Sequence, residues 1–227
     1  MNLVVTDTSF SYKDFIIFDS INLMVSKGEF ICLVGANGSG KSTLLKLIFG
    51  DIKPSSGEIF IEDSNKQKIR NIPQNVSYLP SNISNPLYLT VNELLRLARY
   101  KKENKFQWNL SSVDQKTIEY AVEKCQIEKL LNRTFTQLSS GERQRVWVAF
   151  SLVQNKEFLI LDESLSNLDY PTREFFFNML KQISKDNKGI LLVTHDLEMA
   201  NKFSERIFII KDNKLDVTNL VRTDNII

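Results

Sequence analysis

The residues with the most specific chemical pattern are GANGSGKST, Gly35 to Thr43, which fit the spacing G-x-x-x-x-G-K-[ST]. The apolar run FICLV precedes them and the apolar helical pattern TLLKLIF follows, which is the context that this motif requires. Its glycines let backbone N–H groups curl around phosphates, and the helix N-terminus adds its positive end. We therefore predict a nucleotide phosphate site in which Lys41 reaches the outer phosphates and Ser42 binds Mg²⁺. The residues expected to form it are Gly35, Asn37, Gly38, Ser39, Gly40, Lys41, Ser42 and Thr43.

A second candidate group is a pair of acids, Asp162 and Glu163, near the end of FLILDES, residues 158–164. The four apolar residues before them are typical of a parallel strand covered on both faces, and ligands bind beyond the carboxyl ends of such strands. In a phosphate-loop fold an acid at the end of a neighbouring strand holds the magnesium, usually through water, and Asp162 fits that role. Glu163 could orient or deprotonate the attacking water. The alternative is an acidic strand end that only caps a turn.

Strand and helix patterns that could position these groups alternate at both ends of the chain, which predicts an α/β fold. The strand-like segments are 3–5, 16–25, 30–34, 57–61, 76–79, 158–161, 190–193 and 207–210. The helical patterns are 43–49, 91–100, 113–125, 141–153, 170–184 and 197–203. Residues 84–153 contain helical patterns and polar connectors but no good strand. This predicts a helical subdomain inserted between residues 1–83 and 154–227 of an α/β core.

The bulk composition narrows the class of protein. Lys and Arg number 29 against 27 acids among 227 residues, so the chain lacks the basic footprint that nucleic-acid binding needs. Two distant cysteines and a single histidine offer neither a disulfide framework nor a zinc spacing, which suits a reducing cytosol. No apolar run approaches the roughly 18 residues of a spanning helix, and the start of the chain lacks a signal-peptide pattern. We therefore expect a soluble or peripheral protein that does not bind nucleic acid.

A third segment, LSSGERQRVWVAFSL at residues 138–152, carries a family resemblance. With it, the chain resembles the ATP-binding subunits of ABC transporters, in which the signature LSGGQ precedes a basic helix. The positions of SGGQ are held here by Ser139, Ser140, Gly141 and Glu142. SNLD, residues 166–169, looks like the D-loop of this family, and THD, residues 194–196, looks like its switch-histidine segment. The family's order of motifs is reproduced across nearly the whole chain.

This resemblance implies a P-loop NTPase (RecA-like) core with an N-terminal antiparallel β subdomain and an inserted α-helical subdomain, within one ATP-binding domain of residues 1–227. It implies ATP and Mg²⁺ as ligands and His195 as the switch histidine that contacts the γ-phosphate. Tyr12, 29 positions before Lys41, looks like the aromatic residue that stacks on adenine. Two such subunits pair head to tail in this family, as a homodimer or a heterodimer. The signature and Asp169 of the D-loop would then act at the partner's ATP site.

Each of these segments also has a simpler interpretation. Ser139 and Glu142 form the S-x-x-E pattern of a capping box, in which both side chains satisfy amides at a helix start. Both interpretations can hold together, because a helix N-terminus is itself an anion site. His195 could be an ordinary core or surface histidine. Tyr12 could be a half-buried aromatic residue, since Phe10 and Phe15 lie nearby.

Three positions depart from the family pattern. After the strand VSYL the family usually has Pro-Gln, and that glutamine touches Mg²⁺ and the attacking water, but here Ser81 follows Pro80 in place of the usual Q-loop glutamine. Ser164 replaces the usual proline of DEP, and the signature reads LSSGE. These changes leave open a slow or non-hydrolytic nucleotide-binding regulatory subunit.

The helical insert narrows the type of transporter. TVNELLRLARYKKENKFQW, then AVEKCQIEKLLNR and the signature, resemble the ATPases that power importers of iron chelates, haem and cobalamin. Families for zinc, manganese and drug export share much of this pattern, so an exporter ATPase stays an alternative. An ABC protein of DNA repair or translation would ordinarily need coiled-coil arms or two fused cassettes.

The resemblance also implies partners and a location. They are integral membrane permease subunits, a substrate-binding protein, and a cytoplasmic position peripheral on the inner face of the cell membrane. The basic stretch 96–105 is either a solvated face or a contact near phospholipid or a membrane subunit.

Overall fold

The computed structural model describes residues 1–99, 110–163 and 168–218. Its strands in these residues are β1 (Asn2–Tyr12), β2 (Phe15–Ser26), β3 (Phe30–Gly35), β4 (Ser56–Glu62), β5 (Lys68–Ile69), β6 (Val76–Leu79), β7 (Phe158–Asp162), β8 (Gly189–Val193), β9 (Arg206–Lys211) and β10 (Lys214–Thr218). Its α-helices are α1 (Lys41–Phe49), α2 (Val91–Leu97), α3 (Ser112–Cys125), α4 (Ser140–Val153), α5 (Tyr170–Lys185) and α6 (Leu197–Phe203).

The strands form two sheets. One is antiparallel, with the order β2-β1-β4-β5. The other has the order β10-β9-β3-β8-β7-β6, in which every neighbouring pair except β10 and β9 is parallel. Since the carboxyl ends of parallel strands meet at one edge of a sheet, the segments after β3, β7 and β8 are brought together.

The parallel sheet is buried on both of its faces, which explains why its strands are continuously apolar. In β3 the side chains of Ile31 and Leu33 pack into one hydrophobic cluster, which contains α1 and the antiparallel sheet. The alternate side chains of Phe30 and Cys32 pack into a second cluster, which contains helices α2 to α6. This alternation is the two-residue period of an extended strand.

Among the described residues, the three α-helices between β6 and β7 each begin with a capping box, as the sequence predicts for the third of them. The pairs are Thr90 with Glu93, Ser111 with Asp114, and Ser139 with Glu142. Each box satisfies amides that the first helical turn leaves without partners. The described residues between 84 and 153 form no β-strand, only an isolated β-bridge between Thr90 and Thr134. The division into segments 1–83, 84–153 and 154–227 stays a prediction.

The elements predicted from periodicity are present, with shifts at their ends. β1 continues to Tyr12, far beyond the predicted segment 3–5, because Phe10 also packs into the core. The short edge strands β5 and β10 were not predicted, and the predicted end of α2 at residue 100 lies outside the described residues. None of the helices described is long and apolar enough to cross a membrane.

Candidate functional site

The loop between β3 and α1 has the backbone shape that its glycines predict. Gly38 and Gly40 have φ angles of 81° and 108°, in the left-handed region that glycine adopts without strain. A Cβ atom at Gly40 would lie 2.9 Å from the ring of the buried Phe18, and one at Gly35 would lie 2.5 Å from Ser39 Oγ. The backbone of the loop therefore lies close against the Phe18 ring and the Ser39 side chain, and α1 begins directly after the loop at Lys41.

Lys41 lies inside this loop with its side chain only 6% exposed. Its Nζ donates hydrogen bonds to the carbonyl oxygens of Gly35 at 2.9 Å and Ala36 at 3.1 Å. The same Nζ lies 3.4 Å from Glu163 Oε1. A buried ammonium group needs such partners, so the phosphate loop and the acid pair are joined directly through Lys41.

A cavity of about 430 Å³ opens on the loop. Its lining residues are Ile17, Asn37, Gly38, Gly40, Lys41, Ser42, Thr43 and Glu163. Beside it, the buried Oγ of Ser39 has no hydrogen-bond partner among the described residues. Backbone amides at a helix start, a lysine and hydroxyl groups suit a polyphosphate. Ile17 could not be predicted as a site residue from the sequence, because a single apolar residue in a strand carries no chemical pattern.

Asp162 ends β7 and is 8% exposed. Burial, and then the charge of Glu163, raise the pKa of its carboxyl group above the ordinary value, while Tyr78 and Lys41 act in the opposite direction. Tyr78 OH donates to Asp162 Oδ2 at 3.4 Å, and its ring lies 4.7 Å from that of Phe49 at the end of α1. Tyr78 was missed because this contact depends on the register of β6 against β7. A divalent cation bound beside Asp162 would relieve the charge repulsion between Asp162 and Glu163.

The residues present fit a magnesium ion bound together with a nucleotide. Mg²⁺ is usually held by one or two carboxylates, a hydroxyl group and substrate phosphates rather than by an all-protein cage. Asp162 and Ser42 are residues of the first two kinds. No cluster of three or more His, Cys, Asp or Glu side chains that could hold a metal ion occurs in residues 1–99, 110–163 and 168–218.

Glu163 and His195 follow two neighbouring strands at the same edge of the sheet. Asp162 pairs with Val193, and the amide of Glu163 donates to the carbonyl oxygen of Val193 at 3.0 Å. Glu163 has a φ of 45°, a left-handed conformation that a residue with a side chain rarely adopts, so the chain turns sharply there. His195 is exposed in a bend two residues beyond Val193. The structure thus brings both predicted catalytic residues to the edge where the phosphate loop lies.

The signature residues lie at the start of α4, outside the lining of the phosphate-loop cavity. Ser139 Oγ accepts from the amide of Glu142 at 3.2 Å, and Glu142 Oε2 accepts from the amide of Ser139 at 2.8 Å. Arg133 Nη1 lies 3.6 Å from Glu142 Oε1. Ser140 is exposed and Gly141 is partly buried. The capping-box interpretation is therefore correct for the single chain, and the exposed helix start stays available to a partner.

The remaining predicted site residues lie at the surface. Tyr12 is 44% exposed, its ring packs edge-on against Phe10 at 4.8 Å, and it is not among the residues that line the cavity. Ser81 is exposed just beyond β6. Asp169 caps α5 by accepting from the amide of Thr172 at 3.1 Å. Ser164, Ser166 and Asn167 lie outside the described residues.

A comparison with protein families tests which family the chain belongs to. A family model described as "ABC transporter" matches residues 18–166, which is more than half of the chain. The chain belongs to the ABC transporter family. The family predicted from the signature, the D-loop and the switch-histidine segment is thus confirmed.

Individual members of the ABC transporter family match nearly the whole chain. A probable siderophore transport system ATP-binding protein of Bacillus subtilis is 33% identical over 220 residues, which are 95% of this chain and 79% of that protein. The iron(3+)-hydroxamate import ATP-binding protein of the same organism is 32% identical over 203 residues, which are 88% of this chain and 75% of that protein.

A solved structure extends the likeness to three dimensions. A bacterial ABC transporter cassette, solved as a dimer, is 27% identical with a TM-score of 0.74, over 97% of this chain and 99% of that one. The predicted P-loop NTPase fold is therefore confirmed.

Proposed function

We propose that this ABC transporter family member is the ATP-binding and ATP-hydrolysing subunit of an importer, with an iron chelate as the first candidate cargo. The observation that carries the proposal is the contact between Lys41 and Glu163 at the phosphate-loop cavity. In this contact, a lysine that would bind phosphate lies beside a carboxylate that would act as a general base. The siderophore and hydroxamate ATP-binding relatives support the class of cargo; haem, cobalamin and free metal ions are the alternatives.

We propose a task for each residue in the cavity or near it. The amides at residues 38–43 and Lys41 would hold the triphosphate, while Ser42 and Asp162 would hold Mg²⁺. When bound, Mg²⁺ neutralises phosphate charge and polarises the phosphoryl oxygens. Glu163 would accept the proton of the attacking water, which general-base catalysis requires within hydrogen-bond reach. His195 would contact the γ-phosphate from the neighbouring strand end.

The same chemistry requires a second subunit. Ser139 and Ser140 at the start of α4 are exposed, yet they do not line the cavity of their own chain. We infer that they close over the ATP of a partner subunit, in a homodimer or a heterodimer. The dimeric form of the similar cassette supports this arrangement. ATP binding would close the dimer and hydrolysis would reopen it.

Transport itself would take place in other proteins. We propose integral membrane permease subunits as partners, a substrate-binding protein that delivers the cargo, and a cytoplasmic position on the inner face of the membrane. The importer names of the relatives support the permease partners. Co-purification of a polytopic membrane protein with the chain would test this part of the proposal.

A second candidate function is a slow or non-hydrolytic nucleotide-binding subunit. The observation that favours it is Ser81, which is exposed at the position where the family usually has the Q-loop glutamine. A serine side chain is too short to take over both contacts of a glutamine, to the metal and to the water.

The two functions are separated by measuring Mg²⁺-dependent ATP hydrolysis by the purified chain beside Lys41→Ala and Glu163→Gln. The main proposal expects turnover that both substitutions abolish. ATP binding without turnover above the Glu163→Gln background would refute the ATPase and leave the binding subunit.

A further inference from the structure

The start of α5 and the start of α6 are joined by an ion pair. Arg173 Nη1 lies 2.7 Å from Asp196 Oδ2, and the Asp196 side chain is only 13% exposed. The other oxygen of this carboxylate, Oδ1, accepts the amide of Met199 at 3.0 Å and so caps α6. The Asp196 carboxylate thus contacts both helices. Because the pair is largely shielded from water, removal of one partner would leave the other charge without compensation.

His195 lies between two anchored neighbours. Thr194 is fixed to the central strand β3 through its amide, which donates to the carbonyl oxygen of Leu33 at 3.0 Å. Asp196 donates its own amide to Thr194 Oγ1 at 3.0 Å. His195 itself is exposed, so the direction of its imidazole depends on the backbone that these two neighbours hold. A displacement of Asp196 would therefore be passed to His195 through the backbone.

The other end of the ion pair leads to the D-loop. Asp169 caps α5, and its carbonyl oxygen accepts the amide of Arg173 at 2.9 Å as the first hydrogen bond of the helix. Arg173 therefore lies one helical turn after Asp169, and its side chain reaches Asp196. These contacts form a continuous path from the D-loop position to the switch-histidine position.

We propose that Arg173 is a positioning residue that couples Asp169 to His195. When a partner subunit docks against the D-loop, the path through Arg173 and Asp196 sets the imidazole of His195 toward the phosphate. This inference rests on the proposed function, because the chemistry that it serves is ATP hydrolysis in a dimer. Arg173 belongs to neither the D-loop nor the switch-histidine segment, so the Arg173–Asp196 ion pair would be an additional link between these two loops.

A neighbouring ion pair provides a matched control. Glu174 and Lys202 also connect α5 with α6, but both side chains are about half exposed and neither touches Asp196 or Asp169. If ion pairs between α5 and α6 served only to stabilise the fold, removal of either pair would affect His195 equally. The proposal requires that only removal of the Arg173–Asp196 pair affects His195.

The first test is spectroscopic and needs no turnover. His195 is the single histidine of the chain, so its imidazole NMR resonances are identified without assignment when the protein carries no histidine tag. We expect Arg173→Met to shift these resonances and Glu174→Gln to leave them in place. Arg173→Lys keeps the charge without the planar fork and should give a smaller shift. Unmoved resonances in a folded Arg173→Met protein would overturn the proposal.

The second test separates positioning from stability. We expect Arg173→Met to lower kcat about tenfold or more, since a small displacement of a reacting group is costly, with ATP affinity unchanged. Asp196→Asn retains an oxygen for the cap of α6 and should lower kcat similarly, without adding to Arg173→Met in the double variant. A loss of thermal stability with unchanged kcat would overturn the proposal. A wild-type chain without ATPase activity would instead refute the proposed function, while the NMR comparison would still decide the coupling.

Discussion

Lys41 Nζ lies 3.4 Å from Glu163 Oε1, so the candidate phosphate-binding cation and the candidate general base are in direct contact. The triphosphate of ATP carries more negative charge than one carboxylate and would compete for the same ammonium group. Binding of ATP would therefore weaken the contact between Lys41 and Glu163.

Substitution of Lys41 should weaken ATP binding strongly. A hydrogen bond from a charged donor contributes about 1.5–3 kcal/mol, so Lys41→Ala should raise the Kd for ATP about 10- to 100-fold. Isothermal titration calorimetry measures this directly. Lys46→Ala, which removes an exposed lysine from the last turn of the same helix, is the control and should leave the Kd unchanged. Equal affinities for the wild type and Lys41→Ala would contradict the site.

Ser139→Asp separates the capping role of Ser139 from its proposed role toward a partner's ATP. Aspartate is as good an N-cap as serine, so the free energy of unfolding should change by less than about 0.5 kcal/mol. The new negative charge would, however, face the phosphates of the partner's nucleotide. We expect ATP-dependent dimerisation and hydrolysis to be lost while ATP binding by the monomer is retained.

The matched control for this change is Ser111→Asp. Ser111 caps α3 with the same type of box, and α3 and α4 are both 14 residues long. Ser111→Asp should keep full ATPase activity. If both substitutions reduce activity equally, or neither does, Ser139 does not act on a partner's ATP.

The raised pKa of Asp162 predicts how stability depends on pH. A folded protein whose carboxyl group has a raised pKa binds protons more tightly than the unfolded chain does. Its stability therefore falls as pH rises from the ordinary carboxyl value through the raised folded value. Asp162→Asn removes this cost, so the nucleotide-free variant should be more stable than the wild type at neutral pH, and the gain should shrink in acid. Urea unfolding across a pH series measures it.

Asp114 provides a control of opposite sign for the same measurement. Its hydrogen bond from Ser111 and its contact with Arg99 hold the pKa of its carboxyl group below the ordinary value. It stabilises the fold above the unfolded pKa, and this contribution is lost as pH falls through the folded pKa. Asp114→Asn should therefore be less stable than the wild type at neutral pH. A difference between Asp162→Asn and the wild type that does not vary with pH would contradict the assignment.

Gly40→Ala should cost more stability than Gly28→Ala. Both glycines have a positive φ, so alanine pays about 1–2 kcal/mol of backbone strain at either position. Only at Gly40 does the new Cβ also meet the ring of Phe18, at 2.9 Å, whereas the space around Gly28 is open. This overpacking should add about 1–3 kcal/mol. Chemical denaturation measures both variants, and equal losses would contradict the close contact between the loop and Phe18.

The sequence predicts those parts of the site that depend on local spacing. The phosphate loop, the acid pair and the capping box at Ser139 each lie within a few consecutive residues, where geometry follows directly from residue type. Contacts between distant segments could not be predicted. Tyr78 and Asp162 are 84 positions apart and meet because of strand register, while Arg173 and Asp196 are 23 positions apart and meet because α5 packs on α6. Edge strand β5, with two residues, is too short to give a periodic signal.

We infer that ATP is held between the phosphate loop of one subunit and the signature of another, and that Glu163 activates the water that hydrolyses it. Sedimentation velocity of Glu163→Gln with and without ATP and Mg²⁺ tests both points at once. Loss of the general base should slow hydrolysis by about 10²- to 10⁴-fold and trap the closed state. We expect a monomer without ATP, a stable dimer with it, and no dimer when Lys41→Ala is added. A Glu163→Gln protein that stays monomeric at saturating ATP would contradict this arrangement.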